Sequence, residues 1–110
     1  MIASNRAFRA LADPTRRRIL RLLRERRRTS GEIADAFESS WPTISRHLSV
    51  LRAARLIVRE RKGSFIEYDV NTTVLQQVIE LLLDTVPERG TSWRSNVVRS
   101  LPSPSRSPRR

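Results

Sequence analysis

Three residues with reactive or hydrogen-bonding side chains stand side by side in this sequence: Ser45, Arg46 and His47. A serine nucleophile held by a histidine base would be typical of covalent catalysis. Consecutive residues of a helix point about 100° apart, however, so a helix over this segment keeps the serine and the histidine from pairing. The sequence also lacks a glycine-rich phosphate loop and a motif of paired carboxylates. We therefore expect a protein that is not an enzyme.

The sequence contains no cysteine and one histidine, His47. The lack of cysteine excludes disulfides, thiolate catalysis and metal sites built from sulfur. Because His47 stands next to the apolar Leu48, we expect it to be a packed or capping side chain rather than a metal ligand. No metal site and no cofactor are predicted.

The chain is strongly basic, with 22 lysine and arginine residues against 11 acidic ones and a net charge of +11. An excess of this size over 110 residues indicates a polyanionic partner, and nucleic acid is the obvious candidate. The charge is unevenly spread, since residues 1–62 carry 16 basic and 6 acidic side chains, whereas residues 63–86 carry 4 acidic and no basic ones. Two surfaces for two different partners are therefore expected.

Helix-capping residues divide the first half of the chain. Asp13 followed by Pro14 predicts a helix start, because aspartate caps a helix and proline is tolerated in its first turn. Thr29 and Glu32 have the spacing of a capping box that opens a shorter helix. Between these two starts, residues 26–28 are all arginine. They either place cations at the end of a helix or contact nucleic acid directly, and both alternatives stay open.

The next helix combines a buried face with a polar one. Ser40 is its predicted cap, and Ile44, Leu48 and Leu51 recur at the spacing of a single buried face. A short helix, a turn and a second helix with a polar N-terminal end form the helix-turn-helix pattern, in which the second helix enters the major groove of DNA. The predicted contact residues of this recognition helix are Ser40, Trp41, Pro42, Thr43, Ser45, Arg46 and His47.

After this helix the periodicity changes to that of strands. Residues 56–61 and 64–70 flank Lys62 and Gly63, which predicts a β-hairpin with glycine in the turn. The hairpin end is either a solvated tip that charge protects from aggregation, or a wing that grips phosphates or the minor groove. Because it directly follows a helix-turn-helix, the wing is favoured. Its predicted contact residues are Arg59, Arg61, Lys62 and Gly63.

The last predicted helix is capped by Asn71 and carries apolar residues on two adjoining faces, with no basic residue among them. One face can pack on its own domain, and the other must be covered by something else. A symmetry mate is favoured because symmetric dimers are the commonest soluble oligomers, and a groove for a different protein is the alternative. The predicted dimerisation residues are Phe8, Leu11, Leu75, Val78, Ile79, Leu82 and Val86.

Two regions of the chain differ in composition. Residues 1–86 are predicted to form one domain for DNA binding and dimerisation, and residues 87–110 form a basic tail rich in proline, serine and arginine. The tail composition predicts disorder, with a short helix around residues 93–100 as the alternative. Such a tail either adds attraction to phosphates or has no role. No apolar run spans a bilayer and no leader is apparent, so a cytoplasmic protein is expected.

Several motifs in a fixed order, between Phe8 and Val86, resemble the ArsR family of winged-helix repressors. They are ALADPTRRRIL at 10–20, GEIA at 31–34, PTISRHLSVL at 42–51, and RKGSFIEY at 61–68 followed by NTTVLQ at 71–76. The last two are most similar to the SdpR-type autorepressor branch. The resemblance implies a homodimeric winged helix-turn-helix, mainly α with a small β-hairpin (α+β). Its order is four helices, two strands and a final helix, with dimerisation through the first and last helices.

The sequence also departs from part of that family. Metal-sensing relatives carry cysteines at the start of the third helix, or aspartate and histidine ligands on the last helix. This chain has Thr29 and Gly31 at the first place, and Asp84 without a histidine at the second. Soft metal ions need thiolate or imidazole ligands, so sensing of such an ion is not expected.

Three functions of different classes remain. The favoured one is a sequence-specific repressor that binds a pseudo-palindromic operator in double-stranded DNA, its own promoter included, and blocks polymerase by occupying the promoter. The second is a non-specific nucleic-acid binder driven by arginine. The third is a protein-interaction module that is bound by an unknown protein antagonist. The resemblance to the SdpR type implies that a membrane protein could be this antagonist and sequester the chain.

Overall fold

The computed structural model describes residues 5–87, 89 and 92–100. These described residues form six helices and three strands, and the prediction of a mainly helical fold with a small hairpin is confirmed. The helices are α1 (Asn5–Leu11), α2 (Pro14–Glu25), α3 (Ser30–Asp35), α4 (Trp41–Ala53), α5 (Thr72–Leu83) and α6 (Ser92–Ser100). The strands are β1 (Arg28–Thr29), β2 (Ile57–Lys62) and β3 (Phe65–Val70). No helix within the described ranges is both long and apolar enough to cross a bilayer.

The predicted caps begin their helices as expected. Asp13 caps α2 by accepting a hydrogen bond from the Arg16 backbone N–H at 3.0 Å. At α3, Thr29 Oγ1 accepts from the Glu32 N–H at 3.1 Å, and Glu32 Oε1 accepts from the Thr29 N–H at 2.9 Å. This reciprocal pair satisfies two backbone donors that the helix itself leaves free. The Thr29 N–H also lowers the pKa of the Glu32 carboxyl, because it stabilises the charged form.

A two-residue strand precedes α3, which the sequence does not predict. β1 pairs antiparallel with β3, Arg28 lying opposite Tyr68 and Thr29 opposite Glu67, so that the sheet has the order β1-β3-β2. Two residues are too few to show the alternation by which a strand is recognised. The pairing has a functional consequence, because it ties the start of α3 to the hairpin.

The core holds the helix-turn-helix together. Aliphatic side chains from α2, α3, α4 and the start of the hairpin meet in its centre, where they are fully buried: Ile19, Leu23, Ile33, Ile44, Leu51 and Leu56. Close-packed aliphatic groups of this kind hold elements in one relative orientation. This packing on the buried side of α4 thus fixes the orientation of the helix relative to the rest of the domain.

The end of α4 is formed by an arginine in a conformation that favours glycine. Arg55 has φ 63°, in the left-handed region. This conformation lets the Leu56 N–H donate to the Leu51 carbonyl at 3.0 Å and turns the chain into β2. Leu56 is thereby brought into the core with none of its surface exposed.

Two features near the C-terminal end differ from the sequence pattern. The apolar series predicts a helix through Val86, whereas α5 ends at Leu83 and turns follow. Helix α6 lies inside the tail, at the place of the short helix that was the alternative to disorder. Its described side chains, residues 95–100, are all exposed. Residues 101–110, for which disorder is also predicted, lie outside the described residues.

Candidate nucleic-acid interface

Helix α4 is anchored on one side and capped at its beginning. Ile44 and Leu51 are fully buried and Leu48 nearly so, which fixes the rotation of the helix about its axis. At its N-terminus Ser40 Oγ accepts from the Thr43 N–H at 3.4 Å, and the two hydroxyl oxygens lie 2.9 Å apart. This cap satisfies one of the backbone N–H groups that the first turn leaves without a helical partner, and it holds that turn in place.

The opposite side of α4 presents a polar surface with one aromatic ring. Trp41 keeps 51% of its surface exposed, and Ser40, Pro42, Ser45 and Arg46 are exposed beside it. Hydroxyl and guanidinium groups can hydrogen-bond base edges, and the ring and proline can touch a thymine methyl. Five of the seven predicted recognition residues therefore share one accessible surface at the N-terminal end of the helix.

The other two predicted recognition residues are placed differently. Thr43 is half-buried, with its hydroxyl occupied by Ser40. His47 keeps 17% of its side chain exposed and is directed toward α2, where its Nδ1 lies 3.3 Å from Arg16 Nη1 and 4.0 Å from Asp13 Oδ2. Position 47 lies next to the buried Leu48 and three residues after Ile44, which turns it toward the protein. His47 is thus a packed side chain in the protomer, a placement that does not favour its predicted contact with DNA.

The contact between Asp13, Arg16 and His47 joins three helices. Besides facing His47, Arg16 donates from Nε to the Ala10 carbonyl at 2.7 Å and from Nη2 to the Arg9 carbonyl at 3.3 Å. It therefore binds the last turn of α1 to the start of α2 and to the middle of α4. The Arg16 backbone N–H lowers the pKa of the Asp13 carboxyl, and the positive charge of the Arg16 side chain acts in the same direction.

The wing is a regular antiparallel hairpin whose register decides which side chains share a face. Arg59 lies opposite Tyr68 and Arg61 opposite Ile66, whereas Lys62 lies opposite Phe65. Side chains alternate along a strand, so Arg59 and Arg61 extend from one face and Lys62 from the other. The sequence places these three basic residues close together at the hairpin tip, but the strand register puts them on two different faces of the hairpin. Gly63 makes the turn with φ 62°, as predicted.

One exposed aromatic residue at the wing tip is absent from the predicted contact set. Phe65 keeps 64% of its surface exposed although it is large and apolar. A sequence signal for it exists, because the alternation that turns Ile66 and Tyr68 toward the domain places Phe65 on the opposite face. Lys62 lies opposite Phe65 on the same face, and an exposed apolar side chain beside a basic one is typical of proteins that insert a wedge into the minor groove.

Residues 26–28 form ion pairs within the protomer. Arg26 Nη2 lies 3.6 Å from Glu32 Oε2, and Arg28 Nη2 lies 2.8 Å from Glu25 Oε1. Helix α2 ends at Glu25, so these arginines follow the helix instead of completing its last turn. Arg28 Nε also donates to the Leu22 carbonyl in the last turn of α2 at 3.4 Å, as the alternative of cations at a helix end predicts. The ion pairs with carboxylates of the protein itself are a further role that the sequence does not show.

Arg27 has the most contacts of the three. With 16% of its side chain exposed, it places Nη1 3.1 Å from Glu60 Oε1 and 3.5 Å from Glu67 Oε1, and Nε 3.5 Å from Asp69 Oδ2. All three carboxylates belong to the hairpin. Sequence reasoning missed this role because the partners are distant in the chain and charge alone does not pair them.

The predicted dimerisation residues fall into three classes of burial. Phe8 and Leu11 are half-buried on α1, and Leu75 and Ile79 are half-buried on α5. Leu82 is 53% exposed, and Val86, beyond the end of α5, is exposed as well. Val78 belongs to the protomer's own core with 4% exposure, a placement that does not favour its predicted contact with a second subunit. Over the described residues, no group of three or more histidine, aspartate or glutamate side chains is placed to hold a metal ion.

Residues 13–58 match the model of the family described as "Bacterial regulatory protein, arsR family". The chain is 49% identical to the transcriptional repressor SdpR of Bacillus subtilis over 82 residues, which are 74% of this chain and 91% of that protein. A crystal structure of a possible transcriptional regulator for arsenical resistance is similar at 29% identity and TM-score 0.66, covering 86% of this chain and 95% of that one.

A second solved structure bears on the architecture. It is a solution structure from Mycobacterium bovis, described as a homodimeric winged helix-turn-helix DNA-binding domain of a possible ArsR-family regulator. It has 29% identity and TM-score 0.62, and covers 73% of this chain and 77% of that one. The predicted winged helix-turn-helix is confirmed. Together with the 49% identity to a repressor that the chain covers almost completely, these findings show that the chain belongs to the ArsR family of bacterial regulatory proteins.

Proposed function

We propose that this protein is a homodimeric transcriptional repressor that binds a specific, pseudo-palindromic operator in double-stranded DNA. The observation that carries the proposal is the arrangement of α4, whose aliphatic side is locked into the core while Trp41, Ser45 and Arg46 stand exposed at its N-terminal end. Membership in a family of regulatory proteins supports the same function and argues against an enzyme.

The dimer is supported by helix α5. Of its residues 72–83, Val78 alone is buried, although the helix is rich in leucine, isoleucine and valine. An apolar helix that its own domain covers so little favours burial by a second copy. A two-fold dimer presents two recognition helices about one turn of DNA, roughly 34 Å, apart, and thus calls for an operator with matching symmetry.

The proposal also covers the wing, the division into domain and tail, and the mode of repression. The wing adds contacts to the DNA backbone or minor groove beside each half-site, through Arg59 and Arg61. Residues 1–86 form the DNA-binding and dimerisation domain, and residues 87–110 form a basic tail that adds attraction to phosphates. Repression occurs in the cytoplasm by occlusion, since a dimer seated on a promoter, its own included, excludes polymerase.

The decisive experiment selects bound fragments from random double-stranded DNA with the full chain, followed by binding titrations on the selected site. An inverted repeat is expected. Arg46→Ala should cost about 1–3 kcal/mol on that site and less on random DNA, if Arg46 reads a base edge. Arg52→Ala is the matched control, because it removes the same charge from the exposed C-terminal end of the same helix.

Each other outcome contradicts a stated part of the proposal. Selection without any sequence preference would establish the non-specific, arginine-driven binder instead. Equal losses for Arg46→Ala on both DNAs would reduce Arg46 to a phosphate contact. No DNA binding at all would leave a protein-interaction module. A parallel selection with residues 1–86 measures what the tail contributes.

A further inference from the structure

A groove with a volume of about 470 Å³ lies between α2 and α5. Small-molecule sites typically have volumes of about 300–1,000 Å³ and combine a mostly apolar lining with a few polar groups. The apolar part of this lining is aliphatic and consists of Leu20, Val70, Leu75 and Ile79. None of the lining residues that the structure describes is aromatic, which favours an aliphatic ligand over one that stacks on rings.

The α2 side of the groove is positively charged. Arg21 and Arg24 line it and are exposed, and neither forms a hydrogen bond or an ion pair with any residue that the structure describes. Glu25, the acidic residue beside them in sequence, is paired instead with Arg28 at 2.8 Å. Like charges three residues apart on a helix repel each other, so an anion that both can bind is favourable. The planar guanidinium group matches a carboxylate through two parallel hydrogen bonds.

The other sides of the groove add hydrogen-bonding groups without charge. Thr72 and Gln76 line it one turn apart on α5, and Ser100 lines it from the end of α6. Over the described part of the lining, no residue is acidic. A positive edge beside an aliphatic surface thus favours an occupant with a negative head and an apolar body.

Two segments of the protein itself do not meet this requirement. Residues 101–110, which follow α6, contain three arginines and no acidic residue. On α5, the exposed Leu82 offers an apolar group, but Glu80 and Asp84 each lie about 160° around the helix from it. A second copy of α5 therefore cannot place Leu82 in the groove and a carboxylate at the basic side of the groove at the same time.

We propose that the groove binds a small amphipathic carboxylate with an aliphatic chain of medium length. Its carboxylate pairs with Arg21 and Arg24. Its chain packs against Leu20, Leu75 and Ile79. This site goes beyond the proposed function and does not depend on it, because all the residues that form it belong to one protomer.

Octanoate is the probe, titrated by calorimetry into the full chain. We expect saturable binding of one octanoate per protomer, at least tenfold tighter than that of acetate, which has the charge without the chain. Octylammonium has the chain with the opposite charge, and it should also bind at least tenfold more weakly than octanoate.

Substitutions at the basic side test the role of charge. Arg21→Gln with Arg24→Gln should weaken octanoate binding at least tenfold and hardly change the binding of uncharged 1-octanol, because it removes the charged partners and keeps the aliphatic lining. Arg59→Gln with Arg61→Gln is the matched control, since it removes the same charge from the wing and should leave octanoate binding unchanged. This control excludes attraction by the net charge of +11 alone. Circular dichroism checks that each variant is folded.

Amide shifts in NMR spectra of the wild-type chain locate the ligand without any substitution. Octanoate should shift the amides of Leu20, Leu75 and Ile79 and leave those of residues 59–62 in place. Shifts confined to other surfaces, octanoate binding no tighter than acetate binding, or equal losses in the α2 and wing variants would each overturn the proposal. A loss in the α2 variant alone, together with shifts around the groove, establishes the site.

Discussion

Arg27 Nη1 lies 3.1 Å from Glu60 Oε1, an ion pair that joins the segment after α2 to the middle of β2. The same guanidinium faces Glu67 and Asp69 on β3. One largely buried arginine thus connects both strands of the wing to the joint between α2 and α3. Since α4 is packed against these helices, Arg27 helps to set the position of the wing relative to the recognition helix.

Replacing Arg27 by methionine keeps most of the side-chain volume and removes the charge. Three carboxylates then repel one another around an apolar group, and we expect a loss of about 2–4 kcal/mol in the free energy of unfolding, between the effects of exposed and of fully buried pairs. Urea denaturation measures it. Arg26→Met is the control, because its pair with Glu32 is exposed and should contribute less than about 1 kcal/mol.

A second substitution shows whether charge is the cause. Glu67→Gln in the Arg27→Met background removes one of the mutually repelling carboxylates and should recover part of the loss. If the two substitutions are simply additive, Arg27 acts through packing of its aliphatic stem, and the electrostatic account is wrong.

The two faces of the wing should respond differently to salt. Arg59→Ala and Arg61→Ala should each reduce the slope of log affinity against log salt concentration by about 1, if each side chain neutralises a phosphate. Lys62→Ala should change it less, because Lys62 shares its face with Glu60 and Glu67. Fluorescence anisotropy titrations at several salt concentrations check this. Equal slopes for all three variants would contradict the prediction, because they would show that both faces of the hairpin tip contact DNA phosphates equally.

The sequence predicts local features of this protein better than its long-range contacts. Asp13, Thr29 and Ser40 begin their helices as expected, because a cap depends on residues two or three positions away. The pairs of Arg27 with Glu60 and of Arg16 with His47 join residues 33 and 31 positions apart, which no local pattern encodes. For the same reason the apolar face of α5 is evident from sequence, whereas the place of Val78 in the protomer's own core is not.

The cap of α2 should make stability depend on pH. The folded state lowers the pKa of Asp13 below its ordinary value of 3.8. A lowered carboxyl pKa contributes stability that is present above the unfolded-state pKa and is lost as the pH falls through the folded-state value. Asp13→Asn retains a capping side chain without the charge. We expect wild type to be the more stable of the two at pH 6, and the difference to shrink as the pH falls from 5 toward 3. A difference that stays constant over this range, measured by urea denaturation, would contradict the assignment.

Arg55 should be replaceable by glycine with a gain in stability. A φ of 63° destabilises the folded state by about 1–2 kcal/mol when the residue has a Cβ atom. Glycine avoids this cost but loses more conformational entropy on folding, which offsets about 0.5–1 kcal/mol of the gain. Arg55→Gly should therefore raise the free energy of unfolding by up to about 1 kcal/mol. Arg52→Gly is the control, since position 52 lies in the last turn of α4 with helical backbone, where glycine destabilises by up to about 1 kcal/mol. A thermal denaturation in which both variants lose stability would show that Arg55 has a compensating role.

Two apolar residues four positions apart on α5 should separate folding from association. Val78 is buried in the protomer's core, so Val78→Ala should lower the free energy of unfolding by about 1–3 kcal/mol at every protein concentration. Leu82 is 53% exposed, so Leu82→Ala should leave the unfolding of the protomer within about 0.5 kcal/mol of wild type. Leu82→Ala should instead weaken association, which appears as a changed dependence of the unfolding midpoint on concentration and as a larger dissociation constant in sedimentation. The opposite result, in which Leu82→Ala dimerises like wild type and Val78→Ala does not, would contradict this prediction. It would show that the face of α5 around Val78, and not the face around Leu82, contacts the partner subunit.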